Sequence, residues 1–93
     1  MQLTAEQLTT LNNCGQLLLP PADVAFYMQL DADQVELLLT DRGHAGYEAY
    51  HAGRIETELA LRASILKFAK AGSSPAQTMA KQLLDTLKSQ LHG

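Results

Sequence analysis

The chain has 93 residues, of which 46% are hydrophobic, and a formal net charge of −3 at pH 7. This length fits one small domain and leaves no room for a second. The acidic balance argues against general attraction to nucleic acid or an anionic membrane surface, and no apolar run approaches the ~20 residues of a membrane span. A single cysteine, Cys14, cannot form an internal disulfide, so we expect a cytoplasmic protein.

The charges are distributed unevenly along the chain. Residues 1–41 contain six acidic residues and no lysine or arginine, a balance of −6. Residues 42–93 contain seven basic and four acidic residues, a balance of +3. A protein that reads DNA gains much of its affinity by neutralising phosphates with cations. Residues 1–41 therefore lack the cations that DNA binding requires.

Helix signals begin at the N-terminus. Thr4 can cap a first helix with Gln7 in a capping box, and Gly15 is a plausible C-terminal stop. Pro21 can occupy the first turn of a second helix, which extends to about Gln29. These signals predict two short helices within the first 30 residues.

A third helix and a long fourth one follow. Asp31 can cap the third helix, which the polar segment at residues 41–43 ends. The fourth helix is predicted over residues 45–71. Gly53 lies inside it and indicates a bend or a close backbone contact.

The last helix has the most regular apolar pattern. Gly72 ends the fourth helix, Ser74 caps the next one, and Pro75 takes its first position. One face carries Ala76, Met79, Ala80, Leu83, Leu84, Leu87 and Leu91. The short link makes the last two helices antiparallel neighbours. The sequence therefore predicts a single all-α domain of about five helices, with a helix-turn-helix-like part at 19–41 and a helical hairpin at 45–91.

Residues 19–38 resemble a helix-turn-helix. Ala25 is the small residue that the motif needs inside its first helix, where the second helix crosses it. Gln29 stands where the turn usually has glycine. Apolar residues flank the turn and line the inner side of the second helix: Met28, Leu30, Val35 and Leu38.

Two further segments extend the resemblance. GRIETELALR, at residues 53–62, lies in the long helix, and AGSSPA, at residues 71–76, opens the last one. Together with the helix-turn-helix, these segments resemble small phage or prophage proteins of the terminase small-subunit type, over about residues 19–88. The resemblance implies a non-catalytic protein whose helix-turn-helix engages viral DNA. It also implies that the following helices assemble subunits into a ring that feeds the packaging motor.

Candidate contacts to double-stranded DNA follow from this resemblance. Gln34 is the residue of the third helix suited to reading adenine. Basic side chains of the second half could converge into a phosphate-binding patch: Arg42, Arg54, Arg62, Lys67 and Lys70. In contrast, Asp31, Asp33 and Glu36 would repel phosphate from the third helix.

The alternative is a small helical module that binds a protein or its own copy without DNA. Leu84, Leu87 and Leu91 extend near the C-terminus, where little of the domain remains to cover them. An exposed apolar strip there would favour self-association. We expect a homo-oligomer under either hypothesis.

Catalytic and metal-binding patterns are weak. The sequence has no nucleophile–base pair at a recognisable spacing, no glycine-rich phosphate loop and no cysteine–histidine metal motif. We therefore expect no enzyme activity, no cofactor and no small-molecule substrate. His44, Glu48 and His51 share one helical face, but a metal site needs a further ligand. Local hydrogen bonds at a solvated helix start are the favoured interpretation of these three residues.

Overall fold

The computed structural model describes residues 1–92, which form five α-helices and no strand. The predicted all-α class is therefore confirmed. The chain divides into two compact units, Met1–Glu58 and Leu59–Gly93, and the boundary between them falls within α4. The helices are α1 (Ala5–Gln16), α2 (Pro21–Met28), α3 (Ala32–Leu38), α4 (Ala45–Lys70) and α5 (Ser74–His92).

The first unit has a hydrophobic core. Leu11, Val24 and Val35 are fully buried, one on each of α1, α2 and α3. The other buried members are Cys14, Ala25, Leu38, Leu39 and Tyr50, with Leu3, Leu19, Met28, Leu30 and Ala49 packed against them. The apolar positions that suggest a helix-turn-helix thus all contribute to this core, which explains why α2 and α3 pack closely despite their short lengths.

Side-chain caps start α1 and α3 where the sequence predicts them. Thr4 accepts a hydrogen bond from the backbone N–H of Gln7 at 3.1 Å, and the Gln7 side chain accepts one from the Thr4 N–H at 2.9 Å. The carboxylate of Asp31 accepts from the Gln34 N–H at 3.0 Å. Each bond satisfies a donor that a helix N-terminus otherwise leaves free.

The end of α1 differs from the prediction. Gly15 is not a C-terminal stop but a buried residue inside α1. The left-handed conformation belongs instead to Leu18, with φ of 57°. The Leu19 N–H then donates to the carbonyl of Cys14 at 3.1 Å, the bond that closes a Schellman-type helix end. Gly15 is required for another reason, the close approach of α4.

The turn between α2 and α3 repeats this arrangement. Gln29 has φ of 57°, and the Leu30 N–H donates to the carbonyl of Ala25 at 2.9 Å. The sequence places Gln29 where a helix-turn-helix usually has glycine, and the backbone conformation there is the one that glycine adopts at no steric cost.

The second unit contains the last part of α4 and all of α5. Gly72 has φ of 102° and ends α4 as predicted, with the Ser73 N–H donating to the carbonyl of Phe68 at 3.0 Å. The predicted cap, Ser74, is wrong by one position. Ser74 is already the first residue of α5, and the hydroxyl of Ser73 accepts from the Ala76 N–H at 3.4 Å.

None of the helices within residues 1–92 is both long and apolar enough to cross a membrane.

Candidate nucleic-acid and self-association interfaces

The division into two units also separates the charges. The first unit carries nine acidic and two basic residues, a balance of −7. The second unit carries five basic residues and one acidic residue, a balance of +4. The second unit therefore presents a net positive charge and the first unit a net negative one.

Helix α3 stands at the recognition-helix position but carries no lysine or arginine. Gln34 is exposed there, and so are its acidic neighbours Asp33 and Glu36. Asp33 lies in the first turn of α3, where a carboxylate stabilises the helix dipole and opposes an approaching phosphate. The electrostatics of α3 therefore disfavour insertion into a DNA groove.

Helices α2 and α3 instead expose large apolar side chains. Phe26 is 88% exposed, Tyr27 68% and Leu37 69%. Carboxylates share the same helices, and all of them are exposed. We call the exposed outer faces of these two helices together the acidic aromatic surface: Asp23, Phe26 and Tyr27 of α2 with Asp33, Glu36 and Leu37 of α3. Tyr27 borders the start of α1, whereas Leu37 borders Met1 and His44. These residues are not among the sites predicted from the sequence, although the helical spacing of Phe26 and Tyr27 from the buried Val24 and Ala25 is a signal for their exposure.

The two basic residues of the first unit differ in their surroundings. Arg42 is exposed in the turn before α4. Arg54 is held within α4, since its Nε donates to Nδ1 of His51 at 3.0 Å and its terminal nitrogen donates to Glu58 at 2.9 Å. The charge of Arg54 is thus engaged within α4, by His51 and Glu58.

His51 links α4 to the end of α3. Its Nε2 lies 3.0 Å from the carbonyl oxygen of Leu39. Because Nδ1 accepts from Arg54, the bond to Leu39 requires a proton on Nε2. The rings of Tyr47 and Tyr50 pack against the imidazole, with centroids 4.2 Å and 5.0 Å away. Both ring nitrogens are therefore engaged within the protein.

His44 is engaged in the same way. Its Nδ1 accepts from the Gly46 N–H at 2.9 Å, and its Nε2 lies 2.6 Å from the carbonyl oxygen of Met1. Neither histidine has a ring nitrogen left for a metal. Within residues 1–92, no group of three or more histidine, cysteine or acidic side chains could hold a metal ion.

The second unit presents the remaining predicted cations. Arg62, Lys67 and Lys70 are exposed on α4. They span eight residue steps, or about 12 Å along the helix axis. The one ion pair within residues 1–92 joins Arg54 to Glu58, so these three charges remain available to an external anion.

The apolar side chains of the second unit are largely uncovered. Among residues 59–92 only Ala76 is buried, while Leu84 is 49% exposed, Leu87 52% and Leu91 73%. A groove of about 270 Å³ is lined by Arg62, Leu66, Ala80, Leu83, Leu84 and Leu87. The second unit therefore leaves an apolar groove open between α4 and α5.

Two lysines lie on the same side of α5 as the exposed leucines. Lys81, Leu84, Lys88 and Leu91 follow one another at spacings of three, four and three residues, which places them along one helical face. All four are exposed. We call this set the basic leucine stripe.

Comparison with known proteins was negative: no protein-family model, no curated protein and no solved structure matches the chain.

Proposed function

We propose that the protein is a non-catalytic, self-associating accessory of double-stranded DNA in the cytoplasm, of the terminase small-subunit type. The observation that carries this proposal is the separation of charge, with +4 in the second unit and −7 in the first. DNA is contacted by Arg62, Lys67 and Lys70 on α4, not by α3. The segments GRIETELALR and AGSSPA support the family assignment by resemblance.

In this proposal the helix-turn-helix has a structural role in the core and does not read DNA bases. Its inner residues build the core, and its outer face carries carboxylates. Gln34 has no neighbouring cation on α3 to hold it against a phosphate backbone. Arg42 follows Asp41 and stands in the acidic unit. We therefore leave both residues out of the proposed DNA contacts, together with the braced Arg54.

Self-association compensates for a weak single site. Three phosphate contacts per copy give a slope of log K against log salt of only about −2.7. Several copies on one duplex add their contacts, because each bound copy raises the effective concentration of its neighbours. The exposed leucines of α5, Leu84, Leu87 and Leu91, supply the apolar surface for this assembly.

Fluorescence anisotropy with a labelled random-sequence duplex at low salt tests this function. We expect the wild-type protein to bind and the triple variant Arg62→Ala/Lys67→Ala/Lys70→Ala to lose most of its affinity. Arg42→Ala is the control, because it removes an exposed cation that lies outside the proposed contacts. Absence of binding by the assembled wild-type protein, or equal losses in the two variants, would contradict the proposal.

A second candidate function is protein binding without DNA. The acidic aromatic surface favours it, because Phe26, Tyr27 and Leu37 are exposed beside carboxylates. Exposed aromatic side chains are typical anchors of protein interfaces. An assembled protein that fails to bind duplex DNA at low salt would favour this candidate.

A further inference from the structure

We propose that copies of this chain associate head to tail, with the basic leucine stripe of one copy seated on the acidic aromatic surface of the next. This inference rests on the self-association in the proposed function and names the two surfaces that meet. The cations assigned to DNA, Arg62, Lys67 and Lys70, belong to neither surface, although Arg62 lines the same groove as Leu84 of the stripe.

The acidic aromatic surface has the composition of a receptor for a basic apolar helix. On α2, Asp23 precedes Phe26 and Tyr27 by three and four residues, so the three side chains share a helix face. On α3, Asp33 precedes Glu36 and Leu37 at the same spacings. Each helix therefore offers a carboxylate beside a large exposed apolar group, and residues 1–41 contain no lysine or arginine side chain to neutralise them.

The basic leucine stripe is its complement. Lys81 and Lys88 alternate with Leu84 and Leu91 along one face of α5. The exposed Asp85 lies beside both lysines, four residues after the first and three before the second, so the local charge balance is +1. Leu91 is the most exposed leucine of α5, at 73%. Ammonium groups next to leucines match carboxylates next to aromatic and leucine side chains, in both charge and hydropathy.

The signs of the charges favour contact between the basic leucine stripe and the acidic aromatic surface over contact between two identical surfaces. Two basic leucine stripes packed together would set Lys81 and Lys88 of one copy against the same lysines of the other. Two acidic aromatic surfaces would bring Asp33 and Glu36 against their own copies. Like charges at an interface disfavour it, whereas opposite charges attract and fix the orientation. The head-to-tail contact uses two different surfaces of each copy, so it extends to a closed ring or an open chain.

Charge reversal with complementation tests the inference by sedimentation velocity. The acid variant is Asp33→Lys/Glu36→Lys, and the lysine variant is Lys81→Glu/Lys88→Glu. We expect each variant alone to self-associate at least about tenfold more weakly than wild type, a change of about 1.4 kcal/mol. An equimolar mixture should recover assembly, because each variant then meets an opposite charge. Recovery in the mixture also shows that both variants are folded.

A matched control keeps the number and sign of the substitutions. Glu48→Lys/Glu56→Lys reverses two exposed acids of the same unit, one of them in a helix first turn like Asp33. This control should self-associate like wild type. Wild-type assembly that survives both test variants would overturn the head-to-tail contact and leave the proposed self-association standing, through leucine packing alone. A wild-type protein that stays monomeric would overturn both.

Discussion

Gly15 of α1 and Gly53 of α4 lie in reciprocal contact with each other's helix. A Cβ on Gly15 would collide with the backbone of α4 at Tyr50 and Arg54, and a Cβ on Gly53 would collide with the backbone of α1. Two hydrogen bonds flank the crossing: the Asn12 side chain donates to the carbonyl of Ala49 at 3.0 Å, and the Thr57 hydroxyl donates to the carbonyl of Gln16. The two glycines thus set how closely α4 approaches α1 in the first unit.

Replacing either glycine with alanine should destabilise the first unit. The atoms in the way are backbone atoms of a helix, which cannot rotate aside, so we expect Gly15→Ala and Gly53→Ala each to cost about 3 kcal/mol. Urea unfolding followed by circular dichroism measures this loss. Gly43→Ala is the control, since its Cβ would meet only Asp41 at an ordinary 3.5 Å. Similar midpoints for all three variants would refute the close crossing.

Replacing Gln29 with glycine should stabilise the protein. Gln29 adopts φ of 57° between α2 and α3, a conformation that costs a residue with a side chain about 1 kcal/mol. We expect Gln29→Gly to raise the free energy of unfolding by up to that amount. Gln29→Val should lower it, because a β-branched residue is strained most in this region. Thermal unfolding that ranks valine at or above glycine would contradict the geometry of this turn.

Stability should decline at alkaline pH. Burial raises the pKa of the Cys14 thiol above its ordinary 9.0. Burial also raises the pKa of Tyr50 above 10.0, with the Arg54 charge opposing the shift and Cys14 adding to it. Both groups are neutral when protonated, so their stabilising effect is complete below the unfolded-state pKa and is lost as the pH rises through the folded-state pKa.

Removal of the thiol isolates its part of this decline. In Cys14→Ala the loss of stability should begin near pH 10, where tyrosine ionises in the unfolded chain, instead of near pH 9. Urea unfolding across a pH series measures the onset for both proteins. Parallel curves for wild type and Cys14→Ala would show that the buried thiol is not coupled to folding.

Shortening the exposed leucines of α5 should weaken self-association. Leu84→Ala/Leu91→Ala removes the apolar part of the basic leucine stripe, and we expect the dissociation constant to rise at least about tenfold. Leu61→Ala/Phe68→Ala, on exposed positions of α4 in the same unit, is the control. Light scattering across a concentration series compares the two. If self-association is weakened more in the control than in Leu84→Ala/Leu91→Ala, the interface lies on α4 and not on the stripe.

Local signals account for most of the fold that the sequence predicts. Thr4 and Asp31 cap helices through their own side chains, and Gly72 takes a backbone conformation that other residues adopt at a cost. The sequence-based predictions fail where the role of a residue depends on contacts with a segment that is distant in the sequence. Gly15 follows an apolar pattern, as a helix stop would. However, its lack of a side chain is what allows α4, more than 30 residues away in the sequence, to approach α1 closely.

The surfaces proposed for interaction were harder to predict from the sequence. The regular apolar pattern of α5 places Leu84 and Leu91 on one helix face, and both are exposed in the structure. The hydropathy of Phe26 and Tyr27 is typical of core residues. They are exposed because α2 packs against the core through Val24 and Ala25 instead. The sequence does not distinguish Arg54 from an ordinary surface cation. In the structure it donates to His51, which is itself held by a hydrogen bond to the carbonyl of Leu39 at the end of α3.

The salt dependence of duplex binding by the assembled protein tests the central claim most directly. The account predicts affinity that falls steeply with salt, with a slope of log K against log salt beyond the about −2.7 that three cations of one copy would give. The same slope should flatten in Arg62→Ala/Lys67→Ala/Lys70→Ala. Binding that is absent at low salt, or that does not respond to salt, would contradict the assignment of DNA to the basic unit.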